Sequence, residues 1–381
     1  MITILKNANI YSPEPIGKRD ILILLDRIAH IADTINPPQG LGEVQVVDLE
    51  GARVVPGFID QHVHVIGGGG EGGPTTRTPE IQLTQLTTAG VTTVVGCLGT
   101  DGTTRHVNAL LAKTRALEAE GITAFMYTGA YEVPTRTITD NVRNDLVLID
   151  KVIGVGEIAI SDHRSAQPDV ADLRKLAAEA RVGGLLGGKP GLFHFHVGAG
   201  PRGIQPIFDI LESTELPISM FTPTHMNRNQ ALLQQGARFA RQGGVVDITS
   251  GPNAHKGILQ LVNEYNISLD NITISSDGNG SMPRFDREGK LVGLGVGSVR
   301  ANFDTLRDVM LKGHVPMEDA LKLLTTNVAR NLLLQGRKGC IEIGADADLV
   351  VLSDDLEIAQ VWARGRQMVA DGQAIVKGTF E

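Results

Sequence analysis

The sequence predicts an α/β protein, a (β/α)8 barrel of the TIM type that carries a small β-sandwich domain formed from both chain ends. Three observations predict it. Apolar runs of strand length alternate with stretches of helical period through the middle of the chain, eight such runs can be counted, and the two flanks are rich in strand residues and poor in helix. With 381 residues, 42 % of them hydrophobic, the chain is long enough to bury one large core and to carry a smaller second unit.

Residues 1–55 are expected to form short strands punctuated by Gly, Pro and Asp, including 21–25 (Ile-Leu-Ile-Leu-Leu) and 44–47 (Val-Gln-Val-Val). From Gly57 the pattern changes to apolar runs at 58–65, 91–98, 123–128, 152–160, 192–197, 218–224, 245–249 and 272–276. A polar loop and then a helical stretch follow most of them, which is the signature of parallel strands joined by crossover helices. Residues 169–180 place Leu173, Leu176, Ala177 and Ala180 on one helical face, and Val107, Leu110 and Leu111 begin a similar stripe. After a helical pattern ending near Leu334, strand-like runs return at 348–352 and 358–363, placed to pair with the N-terminal strands. The expected division is therefore a discontinuous β domain, 1–55 plus 336–381, around a barrel at 56–335.

A formal net charge of −8, with no basic run interleaved with aromatics, repels polyanions and argues against a nucleic-acid partner. The N-terminal apolar stretch ends at Tyr11-Ser12-Pro13, too short for a signal peptide or a spanning helix, so a cytoplasmic protein without membrane contact is expected. The two cysteines, Cys97 and Cys340, are too few and too far apart to suggest a disulfide framework or a thiolate metal site.

The chemistry concentrates where the apolar runs end. His62 and His64 are two apart on a predicted strand and project from the same side, so both imidazoles can reach one metal ion. The plain alternative is a pair of buried, hydrogen-bonded histidines. It weakens once the other strands are considered, because His196 ends the fifth run, His225 the sixth and Asp277 the eighth. In a barrel all these carboxyl ends converge on one face. Imidazole with carboxylate favours Zn2+ or another borderline divalent ion over Ca2+ or Mg2+. His194 lies two residues before His196 and would share its face, so spacing alone leaves both open as ligands. His106, His163, His194 and His255 are expected to be surface or supporting histidines, the choice of His196 over His194 as ligand resting on resemblance rather than on spacing. The Gly67–Gly70 run lacks the pattern and the following lysine of a phosphate cradle and is taken as a flexible loop.

The segment Pro56-Gly57-Phe58-Ile59-Asp60 leading into His62-Val63-His64, the terminal Asp277, and the tail from Ile341 to Val351 together resemble the amidohydrolase superfamily over nearly the whole chain. A narrower set is similar to the bacterial isoaspartyl dipeptidases: the glycine-rich loop with Glu71 and Gly73-Pro74-Thr75-Thr76-Arg77-Thr78, then Thr128-Gly129-Ala130-Tyr131, Ser161-Asp162-His163-Arg164-Ser165, Thr224-His225-Met226-Asn227-Arg228-Asn229 and Ser276-Asp277-Gly278-Asn279-Gly280-Ser281. The resemblance implies two zinc ions per subunit, with His62, His64 and Asp277 around one, His196 and His225 around the other, and a bridging hydroxide as nucleophile. Asp277 would act as general base and then general acid. The resemblance also suggests a higher homo-oligomer, such as an octamer.

One position departs from that pattern. Members usually bridge the metals with a carboxylated lysine on the fourth strand, whereas Glu157 stands in the corresponding stretch here, with one residue more before Ser161-Asp162-His163. A glutamate offers the same carboxylate on a shorter arm, so the backbone must come closer to the metals. Gly156 beside it permits a bulge or a close approach, and Gly156-Glu157 is expected to be a compensated replacement. The competing expectation is a mononuclear site in which Glu157 only neutralises charge.

An isoaspartyl dipeptide presents an ammonium, an α-carboxylate and a terminal carboxylate. By resemblance, Glu71 takes the ammonium, with Thr100 and the Gly69 amide as secondary partners. Ser281 takes the aspartyl carboxylate, and Arg164 with Arg228 the terminal one, for which the guanidinium fork is suited. Tyr131 is expected to hydrogen-bond the scissile carbonyl oxygen as charge develops on it. Two other readings compete. Another amidohydrolase chemistry, N-acyl-D-amino acid deacylase or cyclic-amide hydrolase, shares the metal set, but an acylated substrate has no ammonium for Glu71. A barrel that lost its metal and serves only in assembly would not need to keep the four histidines with Asp277.

Overall fold

The computed structural model describes residues 2–38, 40, 42–282, 284–286, 288 and 290–381. The N-terminal flank forms β1 (Ile2–Tyr11), β2 (Pro15–Leu24), β3 (Arg27–Ala32), β4 (Val44–Asp48) and β5 (Arg53–Pro56), as its β-branched composition predicts. The central strands follow as β6 (Phe58–Val63), β7 (Val91–Gly96), β8 (Thr123–Thr128), β9 (Val152–Ile160), β10 (Leu192–Val197), β11 (Phe221–Thr224), β12 (Val246–Thr249) and β13 (Ile272–Ser275). A short hairpin, β14 (Arg284–Phe285) and β15 (Leu291–Gly293), precedes the C-terminal strands β16 (Leu349–Leu352), β17 (Ile358–Ala363), β18 (Arg366–Ala370) and β19 (Gln373–Ala374). The sixth apolar run begins with a 3-10 turn at Ile218–Met220, after Pro217, and only its second half extends into β11.

Strands β6 to β11 form a six-stranded parallel sheet in sequence order, and β12 and β13 form a second parallel pair. Hydrogen bonds join the edges: the Met226 N–H donates to Asp247 C=O at 3.3 Å, and the His64 N–H to Gly278 C=O at 2.8 Å. The parallel sheet is therefore curled, with β13 brought back beside β6. Helices fill the crossovers, among them α1 (Leu83–Thr87), α2 (Val107–Glu120), α3 (Val142–Leu148), α4 (Val170–Gly187) and α5 (Gln205–Glu212). Next come α6 (Gln230–Arg241), α7 (Ala254–Asn263), α8 (Arg300–Gly313), α9 (Met317–Leu321) and α10 (Thr326–Asn331). The α4 helix starts at its expected place because the Asp169 side chain caps the Asp172 N–H. It continues past Ala180 because Gly183 is buried against α3 and Gly184 against Gly191 in the turn before β10, and tertiary packing overrides their low propensity.

The two chain ends meet in one nine-stranded sheet, ordered β19-β18-β17-β16-β5-β1-β2-β3 with β4 also on β1. Strand β16 shows how it joins the rest. Leu349 and Val351 pack with Trp362 and the N-terminal strands, while Val350 and Leu352 point the other way, into the large core between parallel sheet and helices. Among the described residues no helix is long and apolar enough to cross a membrane.

Candidate metal centre and substrate cavity

The parallel strands deliver their chemistry at the carboxyl ends. His62 lies on β6 and His64 just beyond it, Glu157 on β9, His196 on β10, His225 directly after β11 and Asp277 two residues past β13. His225 (φ 63°) and Asp277 (φ 52°) are both in the left-handed region. That conformation is costly for side-chain-bearing residues and is often found at functional sites.

Glu157 is central. Its Oε2 lies 3.2 Å from His62 Nε2, 3.3 Å from His196 Nδ1 and 3.7 Å from His225 Nε2, while its Oε1 lies 3.6 Å from His64 Nε2. Asp277 Oδ1 approaches His64 Nε2 at 3.0 Å and His62 Nε2 at 3.5 Å. Two groups of converging ligand atoms share Glu157: His62, His64 and Cys97 on one side, His196 and His225 on the other. The side chains of these two groups are buried, and Asp277 is partly exposed.

Cys97 stands within one of the two candidate ligand groups, although the spacing of the two cysteines suggested no thiolate metal site. It sits just past the end of β7, with Sγ 4.0 Å from both His64 ring nitrogens. Distance from the other cysteine along the chain is irrelevant when the partners are imidazoles. The strand-end rule that picked out the histidines, applied to the run 91–98, would have found it.

The close approach around Glu157 has a backbone cause. Between β9 and β10 the register slips, so that Val155 to Ile158 spans one residue more than the facing Phe193 to Phe195. The bulge falls at Gly156-Glu157, the pair singled out in the sequence. A Cβ at Gly156 would stand 2.8 Å from His194 Cβ and 2.9 Å from the His194 carbonyl oxygen, so only glycine lets the two strands come this near. Of the two histidines left open on β10, His196 faces Glu157. His194 stands behind His62, its Nε2 2.8 Å from His62 Nδ1 and its ring stacked on Tyr127.

The electrostatics favour a cation. Burial raises the carboxyl pKa of Glu157, yet the positive charge of His62 and His196 and the imidazole hydrogen bonds hold it well below the ordinary range. Burial likewise opposes charge on His62 and His64, but Cys97 with Glu157, and Cys97 with Asp277, push both well above the usual imidazole value. Without another cation, the centre recruits protons to balance its acids. His62 Nε2 is buried without a hydrogen-bond partner while it faces two carboxylates. Such an atom, in a set of imidazole, thiol and carboxylate donors, fits a borderline divalent metal.

Above this floor opens a cavity of about 1010 Å3. Its walls include Gly69, Glu71, Thr100, Tyr131, Arg164, Arg228 and Ser281, so the structure brings together every residue that the sequence pointed to for substrate. Glu71 accepts hydrogen bonds from Ser281 Oγ (2.9 Å), Arg164 Nη1 (3.1 Å) and Thr100 Oγ1 (3.2 Å). Tyr131 OH lies 2.6 Å from His196 Nδ1, and its ring is 5.5 Å below the Arg164 guanidinium.

Comparison with known proteins agrees with this geometry. A family model described as the amidohydrolase family matches residues 45–181 and 271–376, and the chain belongs to that family. Within it, the chain is similar to the β-aspartyl dipeptidase of the thermophilic, keratin-degrading Fervidobacterium islandicum AW-1, solved in complex with β-Asp-Leu. The two are 47 % identical with 98 % of each chain covered and a TM-score of 0.93. A D-hydantoinase at 16 % identity, covering 100 % of this chain and 97 % of that one with a TM-score of 0.73, shares the fold. Dihydropyrimidinase 2 of Caenorhabditis elegans is 42 % identical over 65 residues, 17 % of this chain and 12 % of that protein.

Proposed function

We propose that this chain hydrolyses isoaspartyl (β-aspartyl) dipeptides at a centre of two zinc ions. The observation that carries the reading is the composition of one cavity: an acid, Glu71, and two guanidinium groups, Arg164 and Arg228, beside a histidine–carboxylate floor. A doubly carboxylated, ammonium-bearing substrate needs that charge pattern. The similarity to a β-aspartyl dipeptidase over 98 % of both chains supports the same reading. We also infer that β6 to β13 close as a (β/α)8 barrel spanning 56–335 and that 1–55 with 336–381 form the β domain.

His62, His64 and Asp277, with Cys97 beside them, would hold one ion, and His196 and His225 the other, Glu157 lying between. Zinc supplies a lowered water pKa and a polarised carbonyl. Asp277 accepts the proton of the attacking water and passes it to the departing amine. Tyr131 directs its hydroxyl at the carbonyl oxygen, where negative charge develops. Glu71, with Thr100 and the Gly69 amide, orients the ammonium, Ser281 the aspartyl carboxylate, and Arg164 and Arg228 the terminal carboxylate.

The test is amine release from β-Asp-Leu, α-Asp-Leu and N-acetyl-D-leucine by protein of measured metal content, with and without added Zn2+. Cleavage confined to β-Asp-Leu is expected. Turnover of the acylated compound alone would leave the metal centre standing and refute the roles given to Glu71, Arg164 and Arg228.

A further inference from the structure

We infer that Asp162 is a positioning residue that fixes the tautomer of His196 and, through the same carboxylate, the place of Arg164. The inference rests on reading His196 as a metal ligand. Asp162 follows β9 by two residues and is buried, and among the described residues its carboxylate oxygens meet these two partners. Its Oδ2 lies 3.0 Å from His196 Nε2 and accepts Arg164 Nη2 at 2.9 Å, while its Oδ1 accepts the Arg164 backbone N–H at 2.8 Å and Nε at 3.0 Å. The turn that holds it is tightly built. A Cβ on Gly198, just past β10, would stand 2.5 Å from Asp162 Cβ, so no other residue there leaves the carboxylate in place.

The tautomer of His196 is contested. Its Nδ1 faces the centre, 2.6 Å from Tyr131 OH, 3.3 Å from Glu157 Oε2 and 3.0 Å from His225 Nε2. A lone pair is available at Nδ1 only when the proton sits on Nε2. Around Nε2 two guanidinium nitrogens compete with the carboxylate: Arg164 Nη2 at 3.2 Å and Arg228 Nη2 at 3.4 Å. Both are donors, and alone they would draw the lone pair to Nε2 and turn a proton toward the metals. Asp162 is the acceptor that reverses this, because its carboxylate accepts a hydrogen bond from Nε2–H and pairs with Arg164 at the same time. The arginines needed for substrate carboxylates can therefore stand against a metal-binding imidazole without disabling it. Ligand histidines commonly depend on such a carboxylate partner, whose loss costs about 10–100-fold in metal affinity.

The experiment follows transfer of zinc from the loaded enzyme to a chromogenic chelator for the parent, Asp162→Asn and Arg164→Gln, with a urea unfolding midpoint for each. The Asn variant is expected to release its more labile zinc about 10–100-fold faster, whereas the Gln variant stays within about twofold of the parent and shows its defect in KM for β-Asp-Leu. Asp162→Glu, which keeps the charge, is expected to fall between parent and Asn variant. Parent-like release from a folded Asn variant would overturn the role of Asp162 alone. Release from Arg164→Gln that is about 10–100-fold faster than from the parent would overturn it too, and that arm stands even if the Asn variant does not fold. A parent that takes up no zinc would refute the metal reading itself, and this inference with it.

Discussion

Glu157 and Cys97 carry the two residue-scale questions. The glutamate reaches all four site histidines, one oxygen toward His64 and the other toward His62, His196 and His225. Glu157→Gln keeps the shape but removes the anion between the two ligand groups. Metal analysis of the purified variant is expected to fall from two ions per chain to one or fewer, and occupancy that stays at two would sink the bridging role. For Tyr131→Phe the expected loss is about 10²–10³-fold in kcat with KM little changed, the cost of removing one donor from a developing oxyanion; a defect confined to KM would reassign the hydroxyl to ground-state binding. At this scale a simple positional rule, histidine or aspartate at the end of an apolar run, pointed to the histidines and Asp277, whereas Glu157 and Tyr131 came from the family resemblance. Cys97 obeys the same rule, but the spacing between the two cysteines carries no trace of its imidazole neighbours. Asp162 stood in view within a motif, but its role depends on which imidazole nitrogen it meets, and spacing carries no such information.

At the scale of elements, strand β9 shows how local sequence becomes site geometry. Its slipped register against β10 places Glu157 under the histidines, and the close contact at Gly156 makes the slip possible. Gly156→Ala would push a methyl group into His194, which in turn supports His62. The expected result is a protein destabilised by about 1–3 kcal/mol, as for other overpacked cores, with metal content reduced in parallel; full metal content with parent-like stability would show that the strands can part. The alternating pattern made nearly all the central strands visible within a residue or two, since each is buried on both faces and bounded by polar loops. The misjudged ends have local causes. Pro217 and the 3-10 turn delay β11, and the contact with α3 prolongs α4 past its glycines.

At the scale of the whole molecule, the tail is fastened to the parallel sheet by a buried lysine. Lys338 Nζ pairs with Asp346 at 2.7 Å, with Asp348, and with Thr123 Oγ1 at 2.6 Å at the start of β8. Asp346 is further met by Arg27 from the N-terminal flank at 2.6 Å and by Arg337 at 3.3 Å. The return of the tail to the N-terminal strands was legible from its apolar runs, but this pin was not, because charge pairs between distant segments leave no periodic trace. Lys338→Met would leave Asp348 without its buried cation and Asp346 with the two arginines alone, and breaking a buried pair in this way costs about 3–5 kcal/mol. Urea unfolding at neutral pH measures it. The pH dependence has a definite sign. Burial raises the pKa of Asp346, but Lys338, Arg337 and Arg27 outweigh it and leave the carboxyl below its ordinary value. A depressed carboxyl contributes stability that is fully present above its unfolded pKa, about 4, and is lost as the pH falls through the folded one. Removing Lys338 raises the folded value, so the acid-unfolding midpoint followed by circular dichroism is expected to move to higher pH in the Met variant. An unchanged midpoint would mean that the two arginines suffice for Asp346 and that the lysine acts on Asp348 alone.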